Sequence, residues 1–259
     1  MPSPAAAGAK RNRSVKKAIA LLRAVATDQA PSLSALARAA GLPRATALRL
    51  VVTLEEEGFL LRVGGDRVVL GPELLALVRG ADESGVVVEL AREPLRDLAE
   101  RVRETVTLSL VARDDQLDLV DQVYGPRQIR PRDWVGQRFP LHASSSGKVL
   151  LADFDERRLD EFLSRRLARL TPATITQPDA LRRELARVRR RGYATTVDEL
   201  EEGLSGVSTG VFAAGGSLLA VINVTGPTPR LDRRRLAEAA LPLRAVADLL
   251  ELKLRPRDA

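Results

Sequence analysis

Apolar positions recur at helical spacing from Ser14 onward. Val15, Ile19, Leu22, Val25 and Ala26 form a stripe that runs to Thr27, with Ser14 placed to cap the first turn. Residues 28–31 (DQAP) break that helix. A short second helix is predicted from Leu33 to Ala40, capped by Ser32 or Ser34 and stopped at Gly41. Pro43 then stands where a first-turn proline is tolerated, and the next run places Ala47, Leu50, Val51 and Leu54 on one face before Gly58. The period changes to two over residues 59–63 and 67–70, and Gly64, Gly65 and Asp66 between them supply a hairpin turn. Two helices separated by a short glycine-containing turn, the second carrying Arg44, Thr46, Arg49 and Thr53 away from its apolar stripe, make a helix-turn-helix; the hairpin adds a wing.

Beyond the wing, Gly71 and Pro72 stop the pattern, Glu73 to Arg79 reads as a short linking helix, and residues 80–85 (GADESG) form a break. A longer helix is expected from Val86 to Arg103. Strands follow at 105–111 and 117–123, helices near 145–154, 155–168 and 179–191, strands at 193–198, 207–213 and 217–225, and a last helix from about 231 to 253. Residues 214–217 (AGGS) are a hairpin signal. The class is α+β rather than a regular βαβ repeat. The expected organisation is a disordered basic arm (1–13), a winged helix-turn-helix (14–71), a linker helix (72–85) and a larger C-terminal domain (86–259).

Charge gives the two parts different tasks. The chain of 259 residues carries a net charge of +7. Residues 1–71 hold 11 Lys and Arg against 5 Asp and Glu, whereas the remainder is near neutral with 30 against 29. A small basic domain on a neutral one points to a polyanion for the first part only. With 0 Cys and 1 His, disulfides, thiolate chemistry and His- or Cys-rich metal sites are excluded. Aromatics are 3% of residues, which argues against a base-stacking platform. No apolar run approaches the ~18 residues of a membrane span, and residues 1–17 lack the apolar core of a signal peptide, so a cytoplasmic location is expected, with no membrane partner.

Candidate chemistry concentrates where Phe139 to Lys148 leads into a helix. Three serines and Gly147 at that helix start would bring backbone N–H groups, hydroxyls and the helix dipole to a carboxylate-sized anion, though one serine acting as a simple cap explains them equally well. Enzyme readings fare worse. A phosphate loop fails because His142 and Val149 occupy required Gly and Ser/Thr positions. Ser145 and Lys148 match S-x-x-K without its companion motifs, and no G-x-S-x-G elbow is present for a triad with His142. Asn223 and Thr225 project from one side of an otherwise apolar strand, and residues 195–199 supply Thr195, Thr196, Asp198 and Glu199. Arg182, Arg183, Arg187 and Arg189–Arg191 read as a solvated face. No catalytic residue, metal or cofactor is expected.

Several runs then occur in one order: SLSALARAAGLPRATALRL (32–50), RVVLGP (67–72), PLHASSSGKVLLA (140–152), LTPATIT (170–176), RRRGYA (189–194) and INVTGP (222–227). Together, over about residues 14–250, they resemble the isocitrate-lyase-regulator (IclR) family of bacterial transcription factors. The resemblance implies a winged helix that binds double-stranded operator DNA, a linking helix, and a GAF-like effector-binding domain in a dimer or tetramer. By position, Ser145 and Ser146 resemble the helix-start residues that contact a small carboxylate effector, and Thr196, Gly206, Asn223 and Thr225 match other pocket positions. An acidic residue is frequent where Thr196 stands and a cysteine where Gly206 stands, so a chemically different or larger effector fits this chain. Operator contacts are expected from Arg44, Thr46, Arg49 and Thr53, from Arg62 and Arg67 on the wing, and from Lys16 and Lys17 as phosphate charge. The alternatives are a hydrolase-like enzyme with a DNA-binding appendage and an architectural DNA binder that takes no ligand.

Overall fold

The computed structural model describes residues 12–27, 31–80 and 83–255. The expected basic arm at 1–13 therefore lies outside the described residues except for its last two, as does most of the break at 28–31. Contacts divide the chain into two units that meet in sequence between Asp82 and Glu83.

In the first unit, α1 (Arg13–Thr27), α2 (Leu33–Ala39) and α3 (Arg44–Glu56) pack around Leu21, Val25, Leu36, Ala47 and Val51. Asn12, not Ser14, caps α1: its side-chain oxygen accepts from the amides of Ser14 and Val15 at 3.0 and 3.3 Å. The stripe along α1 also differs from expectation. Val15 and Ile19 are 54% and 45% exposed while Leu21 is buried, and the buried side chains of α1, Leu21 and Val25, both lie in its C-terminal half. Ser32 caps α2 by accepting from Ala35, and Gly41, at φ +64°, turns the chain toward α3. Gly58 (φ +73°) ends α3. The wing is β1 (Leu60–Val63) paired antiparallel with β2 (Arg67–Leu70), and Gly64 and Gly65, both at positive φ, make its turn. Leu60 and Val68 anchor it in the core. Then comes α4 (Pro72–Gly80).

The second unit opens with α5 (Glu83–Val102), which takes in the segment through Gly85 that was expected to be non-helical. A five-stranded sheet follows in the order β4-β3-β7-β6-β5, every pair antiparallel: β3 (Thr105–Val111), β4 (Leu117–Val123), β5 (Ala194–Val197), β6 (Leu204–Phe212) and β7 (Leu218–Pro227). Gly216, at φ +83°, turns β6 into β7. The sheet's two faces have different chemistry. Val106, Leu108 and Leu110, Val207 and Val211, and Ala220, Ile222 and Val224 pack with α5 and α9 (Arg233–Leu254) into one apolar core. A second core joins the sheet to α6 (Ser145–Asp153), α7 (Glu156–Leu163) and α8 (Pro178–Arg191). α7 is shorter than the predicted 155–168, ending where the Ser164 amide bonds Asp160. Asp232 caps α9 by accepting from Arg235.

Candidate functional site

Period-two alternation turns the residues between the apolar ones toward α6. Strand register then aligns them in rows: Thr107 opposite Asn223, itself opposite Ser208; and Thr105, Thr225, Gly206 and Thr196 in succession. Over these rows stands the start of α6. Ser144 caps it, its hydroxyl accepting from the Gly147 amide at 3.1 Å. Gly147 permits the close approach, since a Cβ there would come within 2.3 Å of the Leu141 backbone.

Ser145 donates to Asn223 Oδ1 at 3.2 Å, and Asn223 Nδ2 donates to Thr107 at 3.3 Å. Ser208 Oγ lies 2.8 Å from Ser145 Oγ and 3.1 Å from Ser146 Oγ. Thr225 is bonded to the Ser205 carbonyl. Above this floor is a cavity whose lining includes all six positions named from sequence: Ser145, Ser146, Thr196, Gly206, Asn223 and Thr225. The centres of water-sized molecules can range over ≈ 50 Å³ of it.

The other wall is apolar and was not read from sequence. Trp134 and Phe139 meet edge to face with ring centres 5.4 Å apart, alongside Leu117, Leu119, Leu200 and Leu204. Gln122 holds this loop on strand β4, accepting from the Trp134 amide at 3.0 Å and donating to the Arg132 carbonyl at 2.9 Å. Thr107 and Ser109 were also missed as pocket residues. Their signal was present as the polar members of an alternating strand, both buried.

Lys148, the lysine of S-x-x-K, is turned away from the cavity. Nζ is wholly buried and donates to both Glu199 carboxylate oxygens, at 2.6 and 2.7 Å. Burial draws the Lys148 pKa below its ordinary value and pushes that of Glu199 up, while their mutual attraction opposes both shifts. The segment after β5 is fixed further by Thr171 and Thr174, whose hydroxyls donate to the Asp198 and Glu199 carbonyls at 2.6 and 2.7 Å. His142 is buried too, Nε2 donating to the Ala168 carbonyl at 2.8 Å. Among the described residues lining the cavity none is a Lys, Arg, His, Asp or Glu, so an anion there meets hydroxyls, amides and the α6 N-terminus. On α8, Glu184 is buried and bonded by Arg187 and Arg191, while Arg182 pairs with Glu156 and Asp160.

In the first unit, Arg44, Arg49 and Thr53 are exposed on α3 and Thr46 is half-buried. The Thr53 hydroxyl donates back to the Arg49 carbonyl at 3.1 Å. Arg62 grips Glu55 through Nε and Nη2, both at 3.1 Å, which ties the wing to α3. Arg67 pairs with Val63 across the wing and bridges to Ser32. Lys16 is exposed on α1 and Lys17 half-buried. Among the described residues no helix is long and apolar enough to cross a membrane, and no cluster of three or more His, Cys, Asp or Glu could hold a metal.

Comparison with known proteins agrees with this layout. Residues 83–251 match the family profile described as bacterial transcriptional regulator IclR C-terminal, and residues 14–64 match the IclR helix-turn-helix domain. The transcriptional repressor IclR of Escherichia coli is 29% identical over 242 residues, covering 92% of this chain and 88% of the repressor. The crystal structure of a putative IclR regulator from a Silicibacter species superposes with a TM-score of 0.70 at 29% identity, over 94% of this chain and 96% of that one. An IclR homologue from Microbacterium hydrocarbonoxydans, solved in complex with 4-hydroxybenzoate, gives a TM-score of 0.61 at 28% identity, over 93% and 98% of the two chains.

Proposed function

Since the chain belongs to the IclR family of bacterial transcriptional regulators, we propose that α3 and the wing bind operator DNA and that a small organic acid in the α6 cavity sets the strength of that binding. Arg44 and Arg49 supply base or phosphate contacts from α3, Arg67 serves the wing, and Lys16 adds phosphate charge. The observation that carries the effector half is the convergence of the α6 N-terminus, ten hydroxyl or amide side chains and an apolar Trp134–Phe139 wall on one cavity. Such a site suits a carboxylate on an apolar or aromatic body, as in 4-hydroxybenzoate, the compound bound by the Microbacterium homologue.

Coupling then works by population shift. A ligand held by α6 and by Thr107 on β3 favours one arrangement of the C-terminal domain, and only two residues separate β3 from the end of α5. The domain order proposed is winged helix, α4 as linker, and effector domain, assembled as a dimer or tetramer so that paired winged helices meet paired half-sites. Two measurements test the reading. Operator affinity should fall by roughly 1–3 kcal/mol in Arg49→Ala if that side chain makes a bidentate base contact; unchanged affinity in both Arg44→Ala and Arg49→Ala refutes the α3 assignment. A calorimetric screen of organic acids should find one that binds wild type and not Ser146→Leu; equal binding to both would move the site elsewhere.

A further inference from the structure

α3 carries two apolar side chains that the first unit leaves uncovered. Leu48 and Val52 are 40% and 39% exposed, whereas Leu50 and Leu54 of the same helix pack on the core. Four residues apart, Leu48 and Val52 lie one above the other. Ala45, also exposed, stands three residues before Leu48 on the same side. Arg44 and Arg49, both exposed, adjoin this strip, and no acidic residue occupies the first turn of α3. Glu55, further along, is engaged by Arg62.

An apolar strip beside two guanidinium groups has a specific complement in a DNA duplex. The 5-methyl of thymine is the apolar group that a base edge presents in the major groove, with phosphates within reach of arginines. A protein partner covering the same strip would have to take both arginines with it, and the carboxylates of α3, Glu55 and Glu56, stand only at the far end of the helix. We infer that Leu48 and Val52 select thymine in the operator by packing against its 5-methyl group. The inference rests on the operator-binding reading and gives it a base preference.

The test begins with the full-length protein enriching sequences from a random duplex library, which defines the operator. Each thymine of the enriched site is then replaced in turn by deoxyuridine, deleting the methyl alone. At one or two positions per half-site, uracil should weaken wild-type binding about fourfold, the worth of one buried methylene-sized group. Leu48→Ala and Val52→Ala should each make binding indifferent to uracil at one of those positions. Re-enrichment with Leu48→Gln should replace thymine at its position, since glutamine reads adenine. Both side chains are exposed, so these variants should melt as wild type does.

Specific binding that ignores uracil everywhere, or uracil effects that survive both alanine variants, overturns the inference. Should Leu48→Ala instead dissociate an oligomer in sedimentation while uracil has no effect, the strip is a protein contact and the inference is equally overturned. Failure to enrich any sequence overturns the operator-binding reading itself.

Discussion

Lys148 and Glu199, 51 residues apart, form a buried two-point ion pair that joins α6 to the segment following β5. The same two elements bring Ser145, Ser146 and Leu200 to the cavity. The pair therefore fixes the distance between the polar and apolar walls without touching the space between them.

Removing one partner leaves the other charge buried and uncompensated. Lys148→Met should cost about 3–5 kcal/mol of stability, and Lys148→Met combined with Glu199→Leu should recover most of it. Burial already holds the Glu199 pKa above its ordinary value, and the nearest cation opposing this is lost in Lys148→Met. A carboxyl whose folded pKa exceeds its unfolded one binds its proton better when folded. The stability deficit of Lys148→Met should thus shrink as pH falls from neutral through that folded pKa, levelling below the unfolded value. Urea denaturation at several pH values reads this directly, and a deficit that grows with acid would contradict the pairing.

Gly206 leaves open the space that a side chain would fill. A Cβ at this position would stand 3.0 Å from Ser145 Oγ and 3.1 Å from Asn223 Oδ1. Gly206→Ala should weaken effector binding by roughly tenfold, about 1.4 kcal/mol, while leaving operator affinity without effector as in wild type. Titration calorimetry with 4-hydroxybenzoate, or with whichever acid the screen returns, decides the matter; unchanged binding would place the ligand away from the floor of the cavity.

Trp134 is the chain's single tryptophan and it lines the cavity. Its fluorescence should change saturably on addition of the effector, following the same binding curve as calorimetry. Gln122→Ala, which removes two hydrogen bonds that hold the loop, should broaden the emission toward the red before any ligand is added. Emission identical to wild type would mean that other contacts suffice to seat the indole.

Glu55 engages the exposed Arg62 guanidinium in an ion pair between α3 and the wing. Glu55→Ala should free that guanidinium for a phosphate, and the slope of log affinity against log salt should steepen by about one. Thermal stability should barely move, since the pair is partly exposed. A slope equal to wild type would show that Arg62 reaches no phosphate even when released.

Much of the first unit was legible because glycine and proline punctuate it: Gly41, Gly58, Gly64 and Gly65 each take the positive φ that ends a helix or turns the wing. Asn223 and Thr225 were legible as polar interruptions of an apolar strand. Thr107 and Ser109 alternate in the same way on β3, but which strand they face depends on a register between segments more than 100 residues apart. Trp134 sits in a loop without periodicity, and its place is set by bonds to the neighbouring strand, from the Gln122 side chain and from the Gly136 amide to the Leu119 carbonyl. The α1 stripe misled for a related reason: helical spacing reports which residues share a face, and the neighbouring helices decide how far along that face burial extends.

The two chemistries of the sheet divide the freedom to vary along single strands. On β7, Ala220, Ile222 and Val224 are committed to the core with α5 and α9, while Asn223 and Thr225 between them meet the cavity; β3 divides in the same way between Val106 or Leu108 and Thr107 or Ser109. Substitution at the cavity-facing set can retune which molecule is sensed while the hydrophobic set keeps the helices in place. A lineage can thereby diversify in what it detects and inherit unchanged the machinery that acts on the detection.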